Sequence, residues 1–82
     1  MLGVIVFAHG SRDPQWRLPV EAVASQIAQS DPSVGVSCAY LELCEPSLAE
    51  ACALLVNQGA TRIHVLPLFV GMGTHAREDL PE

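Results

Sequence analysis

The feature that most constrains this chain is the run Leu2–Ala8 (LGVIVFA), which is apolar throughout and then stops at His-Gly-Ser-Arg-Asp-Pro. A short, continuous run rich in β-branched residues suits a strand of a parallel sheet covered on both faces. It is too short for a membrane span, and no basic stretch precedes it as in a signal peptide. Two further segments repeat the pattern, at Val34–Leu41 (VGVSCAYL) and Arg62–Phe69 (RIHVLPLF). Pro67 cannot donate a ladder hydrogen bond, so the third strand is expected to become irregular near its end.

Helical spacing fills the gaps. Trp16, Val20, Val23, Ala24 and Ile27 fall on one face. Pro19 is tolerated only in a first turn, which puts the main helix near Leu18 after a turn at Asp13-Pro14. Ser47 and Glu50 form a capping-box pattern ahead of the stripe Leu48, Ala51, Cys52, Leu55 and Val56. Gly59 is placed to follow the C-cap. After the third strand come a Gly71-Met72-Gly73 turn and Thr74, a candidate cap for a third helix. Strands alternating with helices predict an α/β fold, a three-layer sandwich with a parallel sheet built from βα units. Residues 1–82 read as one such domain, incomplete because its last layer stops in a partial helix.

Charge and cysteine usage narrow the function. Four arginines stand against nine acidic residues, there is no lysine, and the formal net charge is −5. That balance excludes nucleic acid, which needs clustered basic residues, and a polybasic membrane patch. The three cysteines, Cys38, Cys44 and Cys52, form no CxxC pair, so they read as reduced thiols of a cytoplasmic protein, with Cys44 alone watched as a soft ligand. Half of the residues are hydrophobic. That is more than so small a chain hides easily, and it predicts a homodimer or larger assembly.

Ligands of open α/β sheets bind beyond the carboxyl ends of the strands. His9, Gly10, Ser11 and Arg12 follow the first strand; Glu42 and Cys44 follow the second; Gly71, Gly73, Thr74, His75 and Arg77 follow the third. Neutral imidazole is a common ligand for divalent transition ions. His9 and His75 are therefore the candidate metal holders, and Glu42 a third ligand or a proton acceptor. Arg12 and Arg77 suit the carboxylates of an acidic substrate, unless local ion pairs with Asp13 or Glu78 occupy them. Gly10, Gly71 and Gly73 let a large flat ligand approach the backbone. His64 reads as a core or subunit-contact residue. Trp16 reads as packing the first helix, close enough to Arg12 to border a pocket.

Taken in order, Phe7-Ala-His-Gly-Ser-Arg-Asp-Pro14, Ala39-Tyr-Leu-Glu42 with Pro46-Ser-Leu48, Pro67-Leu-Phe-Val-Gly-Met-Gly-Thr-His75 and Asp79-Leu-Pro81 resemble the class II chelatases, most closely the small sirohydrochlorin cobaltochelatases of the CbiX type. The resemblance implies ATP-independent insertion of a divalent metal, Co2+ first and Fe2+ or Ni2+ as alternatives, into sirohydrochlorin or a related tetrapyrrole of cobalamin or siroheme synthesis. The metal is then a substrate, and no organic cofactor is implied. The family's two metal-binding histidines fall on His9 and His75, and its strand-end glutamate on Glu42. Family members continue with a fourth strand and helix, which residues 1–82 are not expected to include, and small members work as homodimers. Competing readings are a non-catalytic metal or tetrapyrrole carrier, a structural oligomerisation module, and phosphoryl transfer through His9. For the last, Ala8 stands where an arginine would be needed to hold phosphate.

Overall fold

A computed structural model describes residues 1–68 of the chain. It contains β1 (Leu2–Ala8), a 3-10 turn (Pro14–Arg17), α1 (Leu18–Ser30), β2 (Gly35–Tyr40), α2 (Leu48–Asn57) and β3 (Arg62–Leu68). The three strands form one parallel sheet in the order β2-β1-β3. The chain steps outward from β1 to β2 through α1, then crosses back over β1 to β3 through α2. Two crossovers of one hand in opposite directions must place their helices on opposite faces.

The packing shows this division. Residues alternate between faces along a strand. Ile5 of β1 is buried with Ala39, Ala51, Leu55 and Ala60 on the α2 side. Val6 and Ala8 are buried with Val20 and Tyr40 on the α1 side. Both cores therefore share β1, whose residues from Gly3 to Ala8 are all buried apart from a half-buried Phe7. This explains why the run carries no polar alternation: each of its two faces meets a helix. The α/β class, the parallel sheet and its βα units are as the apolar runs predict.

The helix signals also hold. Pro19 sits in the first turn of α1, which begins at Leu18. The Ser47 hydroxyl accepts from the Glu50 N–H at 3.2 Å, and the Glu50 carboxylate accepts from the Ser47 N–H at 2.8 Å. Gln58 is the C-cap of α2, and Gly59 follows it with φ +107°. That left-handed conformation is why glycine ends this helix.

Some expectations fail for identifiable reasons. Trp16 does not pack the first helix; it lies in the 3-10 turn and is 69% exposed. Val56 of the α2 stripe is exposed too. His64 is not a core residue: in the sheet of the described residues β3 is an outer strand, and its residues from His64 to Pro67 are all exposed, which leaves the alternative of a subunit contact. The strand also runs through Pro67 to Leu68. Among the described residues no helix is long and apolar enough to cross a membrane. Thr74 and the third helix expected after it lie outside the described residues.

Two tests follow from this packing. Leu55 is fully buried at the centre of the α2-side core. Leu55→Ala removes its contacts and leaves a cavity, so it is expected to cost roughly 2–5 kcal/mol, read as a lower urea midpoint. Tyr40 is buried under α1, and burial, followed by the proximity of Cys38 and Glu21, pushes its phenol from 10.0 up to about 12. The folded state then holds this proton more tightly than the unfolded chain. The associated stability is complete below pH 10 and is lost as pH rises toward 12. Tyr40 is the chain's one tyrosine, so tyrosinate absorbance should titrate near 12 in the folded protein and near 10 in denaturant.

Candidate functional site

The strand order reverses at β1, whose neighbours are reached by crossovers leaving in opposite directions. Such a switch point opens a crevice at the carboxyl ends of the strands, because the connecting loops diverge there. A cleft of about 380 Å3 lies at this place, lined by Ala8, His9, Gly10, Ser11, Trp16, Val20 and Leu68. Its lining comes from the end of β1, the turn that follows, the first turn of α1 and the end of β3.

The loops after β1 and β2 are tied together beyond the strands. Leu41 N–H donates to Ala8 C=O at 3.0 Å, and Glu42 N–H donates to His9 C=O at 3.1 Å. The ladder thus continues past the last paired residues, Ala8 and Tyr40. Farther on, Tyr40 N–H donates to Pro46 C=O at 2.9 Å, which folds the β2–α2 loop back on itself. Leu43 makes the turn at φ 72°, a left-handed conformation that costs a non-glycine residue on the order of 1 kcal/mol.

This backbone arrangement brings His9 Nε2 to 3.3 Å from Glu42 Oε2, with both side chains about half exposed, at 49% and 55%. It is the one close contact of a basic side chain with a carboxylate among the described residues. Two donors bound to one ion at about 2.1 Å each stand roughly 3.0–3.4 Å apart in octahedral or tetrahedral geometry. The observed separation lies in that range. Among the described residues no cluster of three or more His, Cys, Asp and Glu donors forms. Two donors alone leave coordination positions open for water or for an incoming ligand.

Gly10 makes the close approach possible. It has φ +105°, and a Cβ added to it would run into the Glu42 carbonyl oxygen. Its glycine is required by the neighbouring loop, whatever the ligand. The sequence gives this glycine a role toward a flat ligand; its contact with the Glu42 backbone, between residues far apart in the chain, leaves no mark in the sequence pattern. Ser11 also has a local task, its Oγ accepting from Asp13 N–H at 3.1 Å. Asp13 in turn caps the 3-10 turn, accepting from Gln15 N–H at 3.0 Å.

Arg12 is exposed and forms no ion pair with Asp13 or any other described carboxylate, so the local pair weighed for it is not made there. Cys44 packs against the α1-side core rather than beside His9 and Glu42. Gly71, Gly73, His75, Arg77 and Glu78 lie outside the described residues. Trp16 reads in the sequence as packing the first helix, which fails, and as close enough to Arg12 to border a pocket, which holds. Its place on the cleft wall depends on the 3-10 turn ahead of α1, for which Asp13-Pro14 is the only signal in the sequence.

Comparison with known proteins adds independent findings. Residues 3–82 match the family model CbiX. A sirohydrochlorin cobaltochelatase of Methanopyrus kandleri is 34% identical over 82 residues, covering 100% of this chain and 57% of the relative. One from Methanosarcina acetivorans is 36% identical, covering 98% of this chain and 62% of the relative. The chloroplastic sirohydrochlorin ferrochelatase of Arabidopsis thaliana is 37% identical, covering 96% and 35%. The chain thus spans about three-fifths of the length of the two archaeal relatives. A crystal structure of a protein described as a CbiX protein of cobalamin (vitamin B12) biosynthesis, from Marinobacter aquaeolei VT8, superposes with a TM-score of 0.70 at 36% identity. It covers 99% of this chain and 66% of that one.

The two left-handed glycines provide a controlled test of the loop interlock. In Gly10→Ala both the conformation and the Glu42 carbonyl oppose the new Cβ, whereas at Gly59 nothing lies within 4 Å. Each substitution is expected to destabilise by about 1–3 kcal/mol from backbone strain. Only Gly10→Ala should also move Glu42 away from His9, measured by NMR as a displacement of the His9 ring resonances that Gly59→Ala does not produce.

Proposed function

Because the chain belongs to the CbiX family, we propose that it inserts a divalent metal ion into sirohydrochlorin without ATP, with Co2+ as the ion. The observation that carries this reading is the His9–Glu42 pair, two half-exposed donors 3.3 Å apart at the open end of the sheet. The names of the relatives support it unequally. Cobaltochelatases and a ferrochelatase share sirohydrochlorin and differ in the metal, so the macrocycle is the better-supported half. Imidazole and carboxylate donors accept either ion, and availability often decides between them.

In this reading the ion is a substrate, and its site must release it. Insertion strips water from M2+ and puts the ion in place of two pyrrole N–H protons, so two H+ are released for each macrocycle metallated. His9 holds the ion on the β1 side, and His75, which follows β3 in sequence, supplies the second imidazole. Glu42 accepts protons as the macrocycle nitrogens take over the ion. Its carboxylate is half exposed, and so able to pass protons on to water. Arg12 and Arg77 pair with substrate carboxylates, while Ser11, Gly10, Gly71 and Gly73 border the bound macrocycle.

The same reading includes a homodimer in the cytoplasm. Leu41, Leu43, Val65 and Leu66 are exposed, an apolar set that a second subunit would cover. The free thiols of Cys38, Cys44 and Cys52 fit a reducing compartment.

The test is an absorbance assay with sirohydrochlorin, each metal offered separately, alongside metal titration. Co2+ should be inserted faster than the spontaneous reaction. His9→Ala and His75→Ala should each lose most metal affinity and most insertion rate, and the double variant should be little worse than either. Glu42→Gln should slow insertion while largely sparing metal binding if the carboxylate takes protons, and reduce both if it is a ligand. A parent that binds both substrates without accelerating insertion is a carrier, and sinks the catalytic reading.

A further inference from the structure

Trp16 combines features that ordinary packing does not explain. It is the only tryptophan of the chain, it is 69% exposed, and it lines the same cleft as His9. It is not exposed because its backbone is loose. Trp16 N–H donates to Asp13 C=O at 3.0 Å, Gln15 N–H to the Asp13 side chain at 3.0 Å, and Asp13 N–H to Ser11 Oγ at 3.1 Å. Leu18 N–H completes the turn by donating to Gln15 C=O. Pro14 fixes one further dihedral of the same turn. A consecutive set of local hydrogen bonds thus runs from the residue after Gly10 to the start of α1. It holds a large indole, its apolar surface uncovered, at the wall of the cleft.

We infer that Trp16 is the stacking platform for the flat face of the tetrapyrrole, positioning the macrocycle for the ion held at His9; this rests on the tetrapyrrole reading above. The rest of the lining fits such a role. Ala8, Val20 and Leu68 are apolar and Gly10 has no side chain, so the polar groups of the lining are confined to His9 and Ser11. A conjugated macrocycle is wider than this cleft of about 380 Å3. Only part of it enters, and an exposed aromatic at the rim is what the remainder can rest on. Offset stacking of aromatic faces adds about 0.5–1.5 kcal/mol beyond area burial, which is roughly two- to tenfold in affinity. Trp16 is a positioning and binding residue here: it carries no proton and ligates no metal.

The experiment compares the parent chain with Trp16→Phe and Trp16→Ala. Three quantities are measured: the dissociation constant for metal-free sirohydrochlorin, from its visible absorbance; the affinity for Co2+, by calorimetry; and KM and kcat for insertion. Circular dichroism checks that each variant is folded, which an exposed side chain makes the expected result. Trp16→Ala should weaken macrocycle binding two- to tenfold or more and raise its KM in step, with Co2+ affinity unchanged. Trp16→Phe, which keeps a ring, should recover most of the loss.

Unchanged macrocycle affinity in Trp16→Ala, with insertion intact, overturns the platform and leaves the chelatase reading standing. A parent that binds sirohydrochlorin without inserting metal, but loses affinity in Trp16→Ala, supports the platform and overturns the chelatase reading. A parent that does not bind the macrocycle overturns both. Trp16→Ala that dissociates an oligomer on sedimentation, with macrocycle affinity retained, assigns the indole to a subunit contact and overturns the platform.

Discussion

The structure depends on the burial of β1 between two strands and two helices. Its neighbours take up its hydrogen bonds on both edges, and its faces contribute to both hydrophobic cores. A strand enclosed in this way must be apolar at nearly every position and must end where water is reached. His9 is the first residue past that end, and it is exposed. The requirement that buries Val4, Ile5 and Val6 therefore also fixes where the first polar side chain emerges. The sheet contributes to the site by delivering a histidine to one edge at a set height.

Much of this was legible in the residues. The apolar runs give the strands because a two-faced strand leaves a distinctive pattern, and Ser47 with Glu50 marks a helix start because the capping chemistry is local. The readings that failed concern residues whose surroundings come from elsewhere in the chain. The core half of the His64 reading fails because β3, reached by the second crossover, is an outer strand in the sheet of the described residues, where its neighbours are fewer. Trp16 fits a helical period, but the preceding turn rotates it away from the core. For the site, the gathering of His9 and Glu42 at one end of the sheet was readable from strand ends alone. Their 3.3 Å separation was not, because it follows from the hydrogen bonds between two loops and from the space left by Gly10.

The His9–Glu42 pair and Trp16 are held by different devices. The pair hangs on an extension of the β1–β2 ladder into the loops. The indole stands on a self-contained turn capped by Asp13. A polar site of two donors and an apolar wall can then be altered separately, so a substitution in one need not disturb the other.

Glu42 reaches His9 only after the chain has passed through α1 and β2, so the two donors come from opposite ends of the first crossover. In the unfolded ensemble they are separated by the whole of that unit, and no two-point grip on an ion exists. A cation held by the pair therefore binds the native state selectively, and by linkage it draws the population toward the folded form as its concentration rises. On the proposed reading, an ion gripped there would also be a thermodynamic clasp on the β1–α1–β2 unit: the loaded chain would resist unfolding, and the chain that had just released its ion would be at its least stable.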